Sequence, residues 1–271
     1  MRKIKIGIVG CGAIGTELAK RICGEFKDRL RLVSLFDIEM EKAFRLQSIL
    51  KKKRLVALNL DDLINKSDLV IETASANSSF EIAKKVISAK KDVFIMSVGG
   101  LLGYPEIFSL AEENNCSVYL PSGAICGVDG LKASSLGEIK RITLTTKKPP
   151  QAFKGSPYIL KNRINLDTIK EETILFEGRV KEAVLSFPQN INVAATLSIA
   201  GKNPENTFVR IITSPEYSKN THEITVEAES GNIYIRCENL PHPENPKTSY
   251  LAVLSAIATL KQILELVKIG T

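Results

Sequence analysis

Apolar and polar positions alternate in two different ways along this chain, and the change falls near residue 125. Before it, short apolar runs rich in β-branched residues recur at 4–9, 30–36, 69–71, 93–96 and 118–120. Such runs have the composition of strands buried on both faces of a parallel sheet. Helix-period stretches lie between them: Ala43, Leu46, Ile49 and Leu50 share one face, and Ile82, Val86 and Ile87 share another. Strand alternating with helix in this way predicts a doubly wound α/β sheet with crossover helices.

After Ile125 the texture changes. Residues 139–146 read as a strand, followed by Pro149-Pro150 and a long polar stretch with little periodicity as far as Lys170. A helix-period segment follows at 180–187. Three strand-like runs, 208–213, 222–228 and 233–237, are joined by short polar loops and predict an antiparallel meander. The segment Pro241-His242-Pro243-Glu244-Asn245-Pro246 reads as a loop stiffened by prolines. Beyond it one long apolar helix is expected from 248, with Thr248 or Ser249 as its N-cap. The expected organisation is an α/β domain over 1–125 and an α+β domain with a mainly antiparallel sheet over 126–247. The terminal helix, 248–271, is expected to return and pack at the domain junction.

Composition narrows the picture. Apolar residues make up 44% of the 271 and charged residues 25%, ordinary values for a globular chain with a core of useful size. No apolar run approaches the roughly 18 residues of a membrane span, and the N-terminus moves straight into strand pattern. A cytoplasmic protein with no membrane partner is expected. The net charge of +7 raises the question of nucleic acid. The basic residues are dispersed, however, and the densest run, Lys51-Lys52-Lys53-Arg54, fits a helix end running into a loop. The expectation is no nucleic-acid partner and a charge that steers small anions. Five cysteines, Cys11, Cys23, Cys116, Cys126 and Cys237, are odd in number and contain no C-x-x-C pair. They read as small buried thiols rather than a disulfide framework or a zinc site.

The sharpest chemical signal follows the first strand. Residues 4–9 run directly into Gly10-Cys11-Gly12-Ala13-Ile14-Gly15, and Leu18, Ala19 and Ile22 then follow at helical spacing. Gly10 permits the tight turn, and Gly12 lets the backbone, with Ala13 and Ile14, approach a pyrophosphate at the helix N-terminus. Gly15 lets helix and strand pack closely. Asp37 ends the second strand, 22 residues past Gly15, where an acidic side chain binds the ribose 2′-hydroxyl. Its charge opposes a 2′-phosphate, so the expected cofactor is NAD, with NADP possible. The first domain thus reads as a Rossmann unit. Other strand ends should line the same crevice, namely Thr73-Ala74-Ser75-Ala76-Asn77, Ser97-Val98-Gly99-Gly100 and Pro121-Ser122-Gly123-Ala124. Ala74 is a further candidate contact.

Candidates for acid–base chemistry are few. His222 opens a strand and shares its parity with Ile224, Val226 and Ala228. It is either a satisfied core histidine or a group facing an apolar cleft. His242, between prolines, is expected to be exposed. Neither has a partner at metal-ligand spacing, so no metal is expected. Asn190 and Asn192 sit where one helix breaks and another begins. They read either as caps or as amides reaching a nicotinamide or a substrate.

One family brings these residues together. Phe-Pro-Gln-Asn-Ile-Asn-Val-Ala-Ala-Thr-Leu-Ser at 187–198 resembles a segment of the L-aspartate dehydrogenases. Thr146-Lys147-Lys148-Pro149-Pro150, Leu175-Phe176-Glu177-Gly178, Pro121-Ser122-Gly123-Ala124 and Asn245-Pro246-Lys247-Thr248-Ser249 are similar to that family too. The resemblance covers nearly the whole chain. It implies a catalytic histidine at His222 and NAD contacts at Ala124 and at Asn192, or at Asn190 if the register moves. The implied reaction is oxidative deamination of L-aspartate to oxaloacetate and ammonia through iminoaspartate, or its reverse, with a route into NAD biosynthesis. A dicarboxylate needs cations, for which Lys247 and Arg163 are the loop candidates, with Asn190 beside them. A homodimer is the expected assembly. The alternatives are another two-domain reductase, such as a dihydrodipicolinate reductase or a homoserine dehydrogenase, and a non-catalytic NAD-binding sensor.

Overall fold

The apolar runs of the first half become five parallel strands: β1 (Ile4–Val9), β2 (Leu30–Phe36), β3 (Leu69–Glu72), β4 (Asp92–Ile95) and β5 (Val118–Tyr119). They lie in the order β2-β1-β3-β4-β5, each neighbouring pair parallel. The chain passes between them through α1 (Ala13–Cys23), α2 (Met40–Ile49), α3 (Leu60–Lys66), α4 (Ala76–Ser88) and α5 (Glu106–Glu113). This computed structural model describes residues 2–187, 191–243 and 245–270, with backbone only for 245–247. Ile6, Ile8, Leu18, Leu35, Ile71 and Phe94 are fully buried between sheet and helices, each contributing about 1.5–3 kcal/mol of transfer free energy. The lysine-rich run after α2 is a turn, with Lys51 and Arg54 in the left-handed region at φ 52° and 59°.

The chain forms two compact units, Met1–Pro121 with Ala256–Leu266, and Ser122–Ser255 with Val267–Thr271. The second contains α6 (Val128–Ser134), β6 (Ile139–Lys148), α7 (Pro157–Lys161), β7 (Thr173–Arg179), α8 (Val180–Ser186), α9 (Asn192–Ala200), β8 (Thr207–Thr213), β9 (Asn220–Ala228) and β10 (Gly231–Asn239). Its sheet runs β10-β9-β6-β8-β7. The expected meander holds for β9 and β10, which pair antiparallel. It fails for β8, which lies parallel to β6, because the chain crosses over through α8 and α9 before returning. β7 escapes a period-two reading because its register slips between Ile174 and Phe176, burying Leu175 and Phe176 in succession. The polar stretch after Pro150 is anchored by aromatic rings. Phe153 and Tyr158 pack on Phe187 with centroids 6.0 and 5.3 Å away, and Tyr158 meets Phe176 at 5.6 Å.

The segment expected to be a proline-stiffened loop is instead a short ribbon, β11 (Pro241–His242) paired antiparallel with β12 (Asn245–Ser249). Thr248 and Ser249 are therefore strand residues, and the terminal helix α10 spans Tyr250–Leu264. The ribbon also corrects the expectation for His242. Its ring is buried and packs edge-on against Tyr250, centroids 5.4 Å apart. Among the described residues no helix is long and apolar enough to cross a membrane, and no cluster of His, Cys, Asp and Glu could hold a metal ion.

Candidate active site

In the first unit the sequence dictates a turn with little room for side chains. Gly10 has φ 91°, and a Cβ there would lie 2.6 Å from the Thr73 carbonyl. A Cβ on Gly15 would collide with the carbonyl oxygen of Gly10. Thr73 closes the other side, its hydroxyl donating to Gly10 O at 2.6 Å. Gly12 is different: a Cβ there would meet nothing within 4 Å. The loop is thus packed beneath and open above, where Ala13 and Ile14 begin α1. Asp37 is buried at the end of β2, its carboxylate accepting from Cys11 N at 2.7 Å and Glu39 N at 2.9 Å. Gly10, Gly12, Ala13, Ile14, Gly15 and Asp37 therefore share one turn, and Ala74 borders it through Thr73.

One residue of this unit escaped the sequence reading. Glu72, the last residue of β3, is fully buried. Its carboxylate accepts from Ala74 N at 2.7 Å and Ser97 N at 3.0 Å, tying together the loops after β3 and β4. Burial pushes its pKa above the usual carboxylate range. An acidic residue ending an otherwise apolar strand was the available signal. These residues fit a pyridine dinucleotide: open space over a glycine-rich helix start for the pyrophosphate and a fixed carboxylate at the second strand end for the ribose.

In the second unit His222 sits on the helix-covered face of β9, 2% exposed, with Ile224 and Val226 buried beside it. The register places it between Thr146 of β6 and Cys237 of β10. Its Nδ1 lies 3.1 Å from Thr146 Oγ1. Burial, with the positive charge of Lys148, lowers the imidazole to about 3. Burial also lowers Lys148, to about 8. Ala124 is held at the same end of the sheet, its carbonyl accepting from Asn239 Nδ2 at 2.8 Å. Two residues on, Cys126 Sγ lies 3.4 Å from Cys237 Sγ. The expectation of buried thiols is met at Cys11 and Cys237, Cys23 and Cys116 are half-buried, and the expectation fails at Cys126, which is exposed.

Two further candidates are exposed. Arg163 is exposed and follows α7 in a left-handed turn, φ 52°. Asn192 is the exposed first residue of α9, with Ile191 as the cap. Asn190 and the side chain of Lys247 lie outside the described residues. The cation whose charge acts on the histidine is Lys148, which sequence reasoning passed over as part of a motif. Strand parity with Thr146 was the signal that could have found it.

Comparison with known proteins adds a second line of evidence. The family model described as "Aspartate dehydrogenase, C-terminal" matches residues 129–263, and "Homoserine dehydrogenase, NAD binding domain" matches 10–121. The chain is 47% identical to the L-aspartate dehydrogenase of Methanosarcina barkeri, over 99% of this chain and 100% of that one. It is 42% identical to that of Nitrosopumilus maritimus, over 95% and 96%. Among solved structures, aspartate dehydrogenase from Thermotoga maritima shares the fold with a TM-score of 0.74 at 23% identity, covering 99% of this chain and 100% of that one. A homoserine dehydrogenase from Thiobacillus denitrificans follows with 0.61 at 14%, covering 97% and 73%.

Proposed function

The chain belongs to the L-aspartate dehydrogenase family, and from that membership and the geometry around His222 we propose that it converts L-aspartate, NAD+ and water to oxaloacetate, ammonia, NADH and a proton. The observation that carries the residue-level reading is the buried imidazole held at Nδ1 by Thr146. When bound, the nicotinamide dinucleotide supplies the hydride acceptor for Cα of the substrate. The chain's own residues must then deliver water to the resulting iminium carbon.

His222 is suited to that step. Its lowered pKa keeps it neutral at working pH, so a lone pair is available on Nε2 whenever Nδ1–H donates to Thr146. A base of such low pKa is weak before the substrate binds. A dicarboxylate beside it adds negative charge and raises the imidazole back toward its ordinary range, where general-base catalysis is most effective. Ala124, Asn192 or Asn190, and Ala74 are the proposed further contacts to the cofactor.

The carboxylate of Asp37 favours NAD over NADP, since a 2′-phosphate would meet a fixed negative charge. The same reading makes the protein a cytoplasmic homodimer whose iminoaspartate can feed NAD synthesis, supported by the sequence and the family resemblance. The direct test is a spectrophotometric screen of small amino and hydroxy acids with each cofactor. Reduction of NAD by L-aspartate, in preference to homoserine, is the expected result. Turnover of another substrate with none on L-aspartate would overturn the proposal.

A further inference from the structure

We propose that Lys148 is the residue that receives a carboxylate of the dicarboxylic substrate beside His222. The inference rests on the L-aspartate reading above and adds to it the cation that the sequence sought at Arg163 and Lys247.

The argument begins with strand parity. On β6, Ile142, Leu144 and Thr146 are buried on the helix-covered face, and residues two apart on a strand share a face. Lys148 is the next position on that face, two residues beyond the hydroxyl that holds His222. Its backbone is fixed there: it pairs with Thr213 of β8, whose hydroxyl donates to the Lys148 carbonyl at 2.9 Å. The side chain is half-buried, and its charge acts on the imidazole of His222.

The nearest alternative fails on the same geometry. Lys147 belongs to the opposite face and pairs with Glu223 at 3.1 Å. A half-buried ammonium next to a neutral imidazole is poorly solvated, so a carboxylate arriving there gains a charge-assisted hydrogen bond with little competition from water. The same carboxylate would bring the negative charge that raises the pKa of His222. One residue thus links substrate recognition to the readiness of the base.

The test uses the full chain, with Lys148→Gln, Lys148→Met and Lys148→Arg. Steady-state kinetics on L-aspartate are combined with inhibition by succinate, a dicarboxylate that lacks the reacting amine. Loss of a hydrogen bond to a charged group raises KM for L-aspartate and the inhibition constant of succinate by at least ~10-fold in the Gln and Met variants. Lys148→Arg recovers part of both, and the dinucleotide Kd stays at the wild-type value. Folded Gln and Met variants with unchanged KM and succinate inhibition would overturn the proposal. A parallel rise in dinucleotide Kd would also overturn it, by making the lysine part of the scaffold.

Should both neutral variants fail to fold, the wild-type protein still answers. Succinate should slow acetylation of Lys148 by acetic anhydride, followed by mass spectrometry, and absence of protection at saturating succinate counts against the site. Wild-type protein that leaves L-aspartate unoxidised yet protects Lys148 with succinate would instead refute the functional reading and leave the carboxylate site standing.

Discussion

A histidine in water is half-charged near pH 6.5, but His222 is held neutral far below that by burial and by the charge of Lys148. Neutrality alone does not make a base, because the lone pair must sit on the nitrogen that faces the substrate. Thr146 Oγ1, 3.1 Å from Nδ1, restrains the ring, and the lone pair lies on Nε2 when Nδ1–H is the donor. Thr146→Val should remove that restraint without opening a large cavity and lower kcat about 10-fold, with Thr146→Ser close to wild type. Equal kcat in all three proteins would show that the hydroxyl does not position the ring. His242 supplies the contrast: it is buried against Tyr250, so His242→Ala should lower the thermal midpoint and spare kcat. Parity predicted which way His222 faces. The proline flanks of His242 misled because the ribbon that buries it depends on pairing between two segments.

At the scale of elements, the first five strands were legible because each is short, apolar and bounded by turn residues. The glycine turn was legible because backbone geometry demands particular residues at Gly10 and Gly15. β7 was not, since a register slip hides its alternation. The parallel pairing of β8 with β6 is a tertiary choice that no local pattern encodes. Lys148 and Glu72 were hidden for a related reason: a charged residue near a strand end looks like solvent-facing surface until its neighbours are known. The turn also yields a test of cofactor choice. Asp37 is held by Cys11 N and Glu39 N, so Asp37→Ala removes a fixed charge and loosens the loop together. The ratio of kcat/KM for NAD to that for NADP should fall by about 10-fold or more, as expected for loss of a charged hydrogen bond. A ratio that does not move places Asp37 away from the ribose.

For the whole molecule, the two depressed pKa values make stability depend on pH. His222 falls from 6.5 to about 3 and Lys148 from 10.5 to about 8 on folding. Between each pair of values the unfolded chain binds more protons than the native one, so stability rises with pH through both windows. The His222 contribution is present above 6.5 and is lost as pH falls toward 3. The Lys148 contribution is full only above 10.5 and is lost as pH falls through 8. Thermal midpoints against pH should therefore be flatter for His222→Gln in the acid window and for Lys148→Met in the alkaline one. Curves parallel to wild type would show that neither group is desolvated as described.

The central claim, that His222 is the base of an L-aspartate dehydrogenase, meets its most direct test in kcat for NADH formation from L-aspartate by wild type and His222→Ala. Dinucleotide Kd and thermal midpoint are measured on the same preparations. The account predicts a fall in kcat of at least ~100-fold, the lower range for a lost acid–base group, with the dinucleotide bound as tightly as before. A folded His222→Ala protein that turns over L-aspartate at a near-native rate would contradict it.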